Sequence, residues 1–195
     1  RFSSQSGIGN FAKSCLELYN LNDASADALV AGVQADATDD LVLDPLPEGD
    51  ALPSHLQAKI VDAYTSYLEL VLRPDETLSP HERYAEALKA FEGFRVLTPH
   101  RRGPLGVEDL NTAIEVMLER ALGDRFGFRA RDLHYRGRPI LIRQNDYETG
   151  LFNGDIGLVV DRHRAVFPDA EVGIREIPLA RLPRHETVFA MTVHS

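Results

Sequence analysis

Only one cysteine, Cys15, occurs in the 195 residues. That excludes an internal disulfide and a multi-cysteine zinc site. Cys15 falls on the apolar stripe of a predicted helix and reads as a buried, inert thiol. No apolar run approaches the roughly 18 residues that a membrane-spanning helix needs. No charged-then-apolar leader opens the chain either, so the expectation is a cytoplasmic protein without a membrane partner. The phosphate loop G-x-x-x-x-G-K-[ST] is absent, as is H-E-x-x-H. The seven histidines are scattered without ligand spacing, and no nucleophile–base pair is visible. A self-contained active site is therefore not written in these residues, and a free-standing hydrolase has little support. Internal repeats and low-complexity segments are missing as well.

Lysine is the next scarcity. Residues 93–195 carry fifteen basic side chains, and all are arginine. Arginine presents a planar fork suited to bidentate phosphate recognition. The charge is also uneven: residues 1–92 hold 6 basic and 16 acidic residues, whereas residues 93–195 hold 15 and 14. The overall charge of −9 argues against a generally nucleic-acid-coated surface. Arg125, Arg129, Arg131, Arg136, Arg138 and Arg143 cluster around a single acid, Asp132. This cluster reads either as a solvated arginine-rich face or as a phosphate-binding one. The 44% hydrophobic content is ordinary for a globular chain with an ample core.

Periodicity organises the rest. Residues 6–21 place Ile8, Phe11, Cys15, Leu18 and Tyr19 at helical spacing. Residues 22–53 are acidic and proline-bearing and read as loop, with Leu41–Leu43 a short strand at most. A helix is predicted over 54–72 with Leu56, Ile60, Ala63, Tyr67 and Val71 inward. Ser79-Pro80-His81-Glu82 is a capping box with proline at the first helical position, opening a helix that ends near Gly93. Phe94–Leu97 is predicted as a strand. A helix over 106–122 carries Val107, Leu110, Ile114, Met117 and Ala121 on one face. Past Gly123 the pattern changes to short strands, as in a small barrel or sandwich. The expected fold is α/β, with residues 1–123 in one layer, a β unit over 124–186 inserted into it, and a strand in 187–195 returning to the first layer.

Two C-terminal stretches are the most specific. In RPILIRQNDYETGLFNGDIGLVVD (138–161), apolar runs flank Asn153-Gly154, which predicts a hairpin with a type I′ turn. HETVFAMTVHS (185–195) reads as a short buried strand running to the last residue. With no starting Met, the chain reads as an excised piece. These stretches, together with RFSSQSGIG (1–9) and VLTPHRRGPLGVEDLN (96–111), resemble in the same order the C-terminal motor region of RecD. RecD is the alpha subunit of exodeoxyribonuclease V, a superfamily 1B DNA helicase.

The resemblance implies a second RecA-like motor domain interrupted by a small Src-homology-3-like barrel. It implies a role in recombination and double-strand-break repair, with 5′–3′ movement on single-stranded DNA and possible association with other exodeoxyribonuclease V subunits. ATP and Mg²⁺ would serve the full-length parent, with neither expected on this stretch, which alone is expected to be inactive. By position, Arg1 would reach the ATP γ-phosphate. Thr98 and Arg101 would meet the DNA backbone, Thr192 and His194 would couple nucleotide state to DNA grip, and Arg136, Arg138 and Arg143 would line the barrel entry. The family continues with Lys where Ser195 stands, which leaves that position's role open. From the residues alone, Gly103, Pro104 and Gly106 shape a turn, and Asn153-Gly154 is structural. The alternative reading is a non-enzymatic module whose β-barrel docks a protein.

Overall fold

The computed structural model describes residues 52–73, 77–130 and 134–192. They all fall in one compact unit, residues 47–195. Arg1, Arg131, His194, Ser195, the 6–21 helix and the 41–43 strand lie outside the described residues.

Helix α1 runs Ser54–Leu72, as its period predicts, and buries Ile60, Tyr64, Tyr67, Leu68 and Val71. Helix α2, Pro80–Glu92, opens with the expected capping box: Glu82 N–H donates to Ser79 Oγ, and the Glu82 carboxylate accepts from Ser79 N–H. Two of the orphan donors at that end are thereby satisfied. Strand β1 spans Val96–Thr98. Helix α3 spans Val107–Phe126. The sequence predicts an end near Gly123, but Gly123 is buried inside the helix and Gly127, at φ 66°, supplies the left-handed cap. Only glycine adopts that conformation without a Cβ penalty. The buried stripe also drifts. Beyond Ile114 it passes through Leu118 and Leu122, leaving Met117 half-buried and Ala121 exposed.

Five antiparallel strands follow: β2 (Pro139–Ile142), β3 (Ile156–Val159), β4 (Arg164–Asp169), β5 (Gly173–Pro178) and β6 (His185–Thr187). Their spatial order is β5-β4-β3-β2-β6. All four residues of β2 are buried, because both faces of the sheet are covered. Leu141, Leu158, Val166 and Ile174 join the core beneath the helices. Ile140, Ile142, Val159, Phe167 and Ile177 close over a second core with Leu151. A continuous rather than alternating apolar run is the signature of such a strand. The fold is thus mixed α/β. The sheet keeps an inner core of its own, but its order is linear, and no ladder joins β5 to β6 into a closed barrel.

The predicted hairpin forms between β2 and β3, but not with a two-residue turn. Residues 143–155 connect the strands, and an Asp146–Leu151 bridge folds the connection back on itself. Asp155 N–H bonds to Phe152 O at 3.0 Å across Asn153-Gly154. Of these two residues only Gly154 has positive φ (103°), so this is not the expected type I′ turn, which needs positive φ at both.

Strand β7, Ala190–Thr192, leaves the five-stranded sheet and pairs in parallel with β1, placing Thr98 beside Thr192. Beneath this pair Tyr64, Tyr67, Phe91, Phe94 and Phe189 pack with ring centroids 5.0–6.1 Å apart. Such edge and offset pairs add about 0.5–1.5 kcal/mol each beyond area burial. No helix among the described residues is long and apolar enough to cross a membrane.

Candidate nucleic-acid interface

The β1–β7 pair brings together two stretches about ninety residues apart in sequence. Thr98 ends β1, and its side chain is turned inward at 4% exposure. Its hydroxyl donates to Leu105 O at 2.7 Å and accepts from His100 N–H at 3.4 Å. Thr98 therefore closes the loop of residues 99–106 and positions what that loop carries. Gly106 is required at the loop's end: a Cβ there would stand 2.7 Å from Arg102 C and 2.8 Å from Gly103 O. Leu105, at φ 63°, is the only non-glycine described residue with positive φ, a strained conformation that surrounding structure must hold.

Arg101 projects from this loop with about half its side chain exposed. Its guanidinium lies 3.1 Å from Glu186 on β6 and 3.5 Å from Glu108 at the start of α3. Glu186 also approaches Arg143 at 3.7 Å, at the end of β2. Glu186 thus bridges two arginines from separate elements. Arg102 is almost fully exposed and reaches Glu108 at 3.8 Å. Arg184 is exposed beside Arg143, whose N–H donates to Arg184 O at 2.7 Å; Arg136, also exposed, precedes the opposite end of β2. The patch holds more guanidinium than carboxylate, and its ion pairs are solvent-facing, each contributing little to stability.

Arg138 departs from its expected role. It is 7% exposed, and its Nε donates to Thr187 Oγ1 at 2.9 Å. Burial pulls its pKa down, opposed by Tyr135 and Glu115. A guanidinium spent in this way braces β6 and is not presented to a phosphate. Arg125 is likewise engaged, with Glu69 at 3.1 Å and stacked over Phe126. Asn153 N–H donates to Asn145 Oδ1 at 2.8 Å within the β2–β3 connection. Thr192 is half-buried at the end of β7.

The last residue of the 96–111 stretch holds the arrangement. Asn111, on the buried side of α3, accepts from Phe189 N–H (2.7 Å) and Ala190 N–H (2.9 Å) through Oδ1. Its Nδ2 donates to Thr187 O (3.2 Å) and Ala190 O (3.3 Å). Tyr64 O–H donates to Phe189 O from the other side, and burial pushes that phenol up to about 12. The chain is thus clamped where it passes from β6 to β7. Across from the 96–111 stretch stand Thr192, in register with Thr98, Glu186 beside Arg101, and the backbone of Thr187, Phe189 and Ala190 on Asn111.

Known proteins are similar to the chain over parts of their length. It is 36% identical over 157 residues to the RecBCD enzyme subunit RecD of Haemophilus influenzae, covering 75% of this chain and 23% of that protein. The chain is homologous to RecD. A second RecD, from Mycolicibacterium smegmatis, is 42% identical over 112 residues, covering 56% of this chain and 19% of that protein. The ATP-dependent RecD2 DNA helicase of Deinococcus radiodurans is 32% identical over 102 residues, covering 51% of this chain and 14% of the helicase. The chain thus spans at most about a quarter of the length of these curated RecD relatives. No family model matches it.

Proposed function

We propose that these residues contribute the DNA-gripping face of the second motor domain of an ATP-dependent 5′–3′ DNA helicase acting in recombination and double-strand-break repair. The five-stranded sheet would be its Src-homology-3-like insert. The observation that carries the reading is the parallel β1–β7 pair, which sets Thr98 beside Thr192 and puts Arg101 and Arg143 on one rim around Glu186. Exposed guanidinium groups at strand ends and in a glycine-bearing loop suit backbone contacts without base readout, as a translocating motor requires. ATP and Mg²⁺ are assigned to the full-length parent. Arg1 is assigned to the γ-phosphate, and His194 to the coupling of nucleotide state to grip, by position alone. Partner subunits of the exodeoxyribonuclease V type belong to the same proposal, as does a cytoplasmic location.

A second reading has one observation in its favour. Arg101 and Arg143 are already paired with Glu186, which suits a purely internal brace in a protein-docking module. Replacing Glu186 with Gln separates the two. If phosphate competes with Glu186 for the guanidiniums, E186Q tightens binding of an oligo-dT strand and steepens its salt dependence through counterion release. Charge reversal at Arg101, Arg102 and Arg143 together should abolish that binding. If E186Q only lowers thermal stability and no oligo-dT binding is seen at low salt, the internal-brace reading stands.

A further inference from the structure

Outside the β1–β7 rim, two large aromatics stand in water. Tyr147 is 83% exposed and Phe152 44% exposed. Their rings meet edge to face at 5.8 Å. They project from the 143–155 connection, whose backbone is tied at several points. Asp146 exchanges backbone bonds with Leu151 at 2.7 and 3.1 Å, and its Oδ1 accepts from Glu148 N–H at 2.9 Å. Asp155 Oδ2 accepts from Phe152 N–H at 2.8 Å. The Arg175 guanidinium donates to Thr149 O and Gly150 O, both at 3.1 Å. A loop pinned this firmly does not display two aromatics for want of somewhere to fold them. Rigid, exposed aromatics with little ordering entropy left to lose are what binding anchors require.

Phe152 also forms one wall of a cavity of about 480 Å³, whose apolar lining includes Ile156 and Pro168. Three carboxylates, Glu92, Asp155 and Asp169, stand around it against one guanidinium, Arg175. Arg175 is itself committed to two carbonyls and lies 3.8 Å from Asp169. Asp169 accepts from Glu171 N–H and Val172 N–H, bonds that keep it ionised. The cavity therefore offers an apolar wall under excess negative charge. That combination repels a phosphate backbone and suits a side chain with a long apolar stem and a cationic end.

We propose that the Tyr147–Phe152 edge and the adjoining acidic cavity form a docking site for a partner protein that inserts an arginine or lysine beside an apolar residue. The site is separate from the β1–β7 rim and independent of the helicase reading. An amide-resolved NMR titration of the whole chain tests it, with the blocked dipeptide acetyl-Leu-Arg-amide as probe. Acetyl-Leu-Glu-amide and oligo-dT serve as comparison probes. The expected result is saturable, salt-weakened shifts at Phe152, Asp155 and Glu92 with the arginine peptide alone. Phe152→Ala and Glu92→Lys should each weaken that binding roughly ten-fold, as truncation of an interface anchor does. Tyr147→Ala, at a position with almost no buried surface, should weaken it too and provides a variant whose fold is not at risk. Equal shifts with the glutamate peptide, shifts with oligo-dT at these amides, or no response to the arginine peptide would each overturn the proposal.

Discussion

Replacing Asn111 with Ala removes one side chain but disconnects four backbone groups. Phe189 N–H and Ala190 N–H lose a shared acceptor, and Thr187 O and Ala190 O lose a donor. Phe189 and Ala190 are fully buried, so water does not reach the two N–H groups without opening the core. An unsatisfied buried donor costs about 1–3 kcal/mol. The carbonyls, each with a second lone pair and a longer bond, lose less. The expected cost of Asn111→Ala is therefore about 3–5 kcal/mol, at least about a fifth of a typical domain's stability. With a urea m-value of roughly 2 kcal/mol/M, the midpoint should fall by about 2 M at unchanged slope. Asn111→Asp sharpens the test. Aspartate keeps the two acceptances but turns a donor edge into a carboxylate facing two carbonyl oxygens. Burial and that repulsion raise its pKa, so the variant should recover stability as pH falls and the carboxyl becomes a donor again. A loss below about 1 kcal/mol for Asn111→Ala would refute the clamp, because a solvated or redundant bond costs no more than that. So would an Asn111→Asp variant with no recovery in acid.

The other predictions concern separate levels of the structure. Gly157→Ala in β3 should cost about 1–3 kcal/mol by overpacking, because a Cβ there would stand 2.6 Å from Phe167 Cε1 and from Val166 O; thermal melts at matched pH would show it. The Glu115 carboxyl is held above its ordinary value by burial, opposed by its 2.8 Å bond from Tyr135 O–H and by the charge of Arg138. A carboxylate so raised lowers native stability as pH climbs through its unfolded and then its folded pKa. Glu115→Gln should accordingly gain on the wild type as pH rises above the ordinary glutamate pKa of about 4.3; a gain that instead shrinks with rising pH contradicts the sign. In the full-length parent, Arg1→Ala should lower ATP turnover by roughly 10³-fold or more, as loss of an arginine finger does. Steady-state ATPase assays beside oligo-dT binding would check this, and near-normal turnover per folded molecule would dismiss the role.

What could be read from the sequence was local. The capping box at Ser79 and the 54–72 period depend on residues three or four apart, and both appear where the pattern puts them. The β2–β3 hairpin was legible from its two apolar runs, but its turn was not. The connection is set by Arg175 reaching Thr149 O and Gly150 O and by Asn145 holding Asn153, contacts that no short-range rule encodes. The arginine cluster shows the same limit at the candidate site. Arg136 and Arg138 differ by two positions and look alike in sequence, yet one is exposed and the other buried against Thr187. Burial is decided by where β6 returns, some fifty residues later. Asn111 left a trace that period alone could have caught: a polar residue between Val107, Leu110, Ile114 and Leu118 on the buried face of α3. An amide in such a stripe must find partners or cost several kcal/mol, and here it finds them in the backbone that joins the two sheets. The clamp therefore ties the 96–111 stretch to the 185–192 stretch through bonds that neither could form within itself.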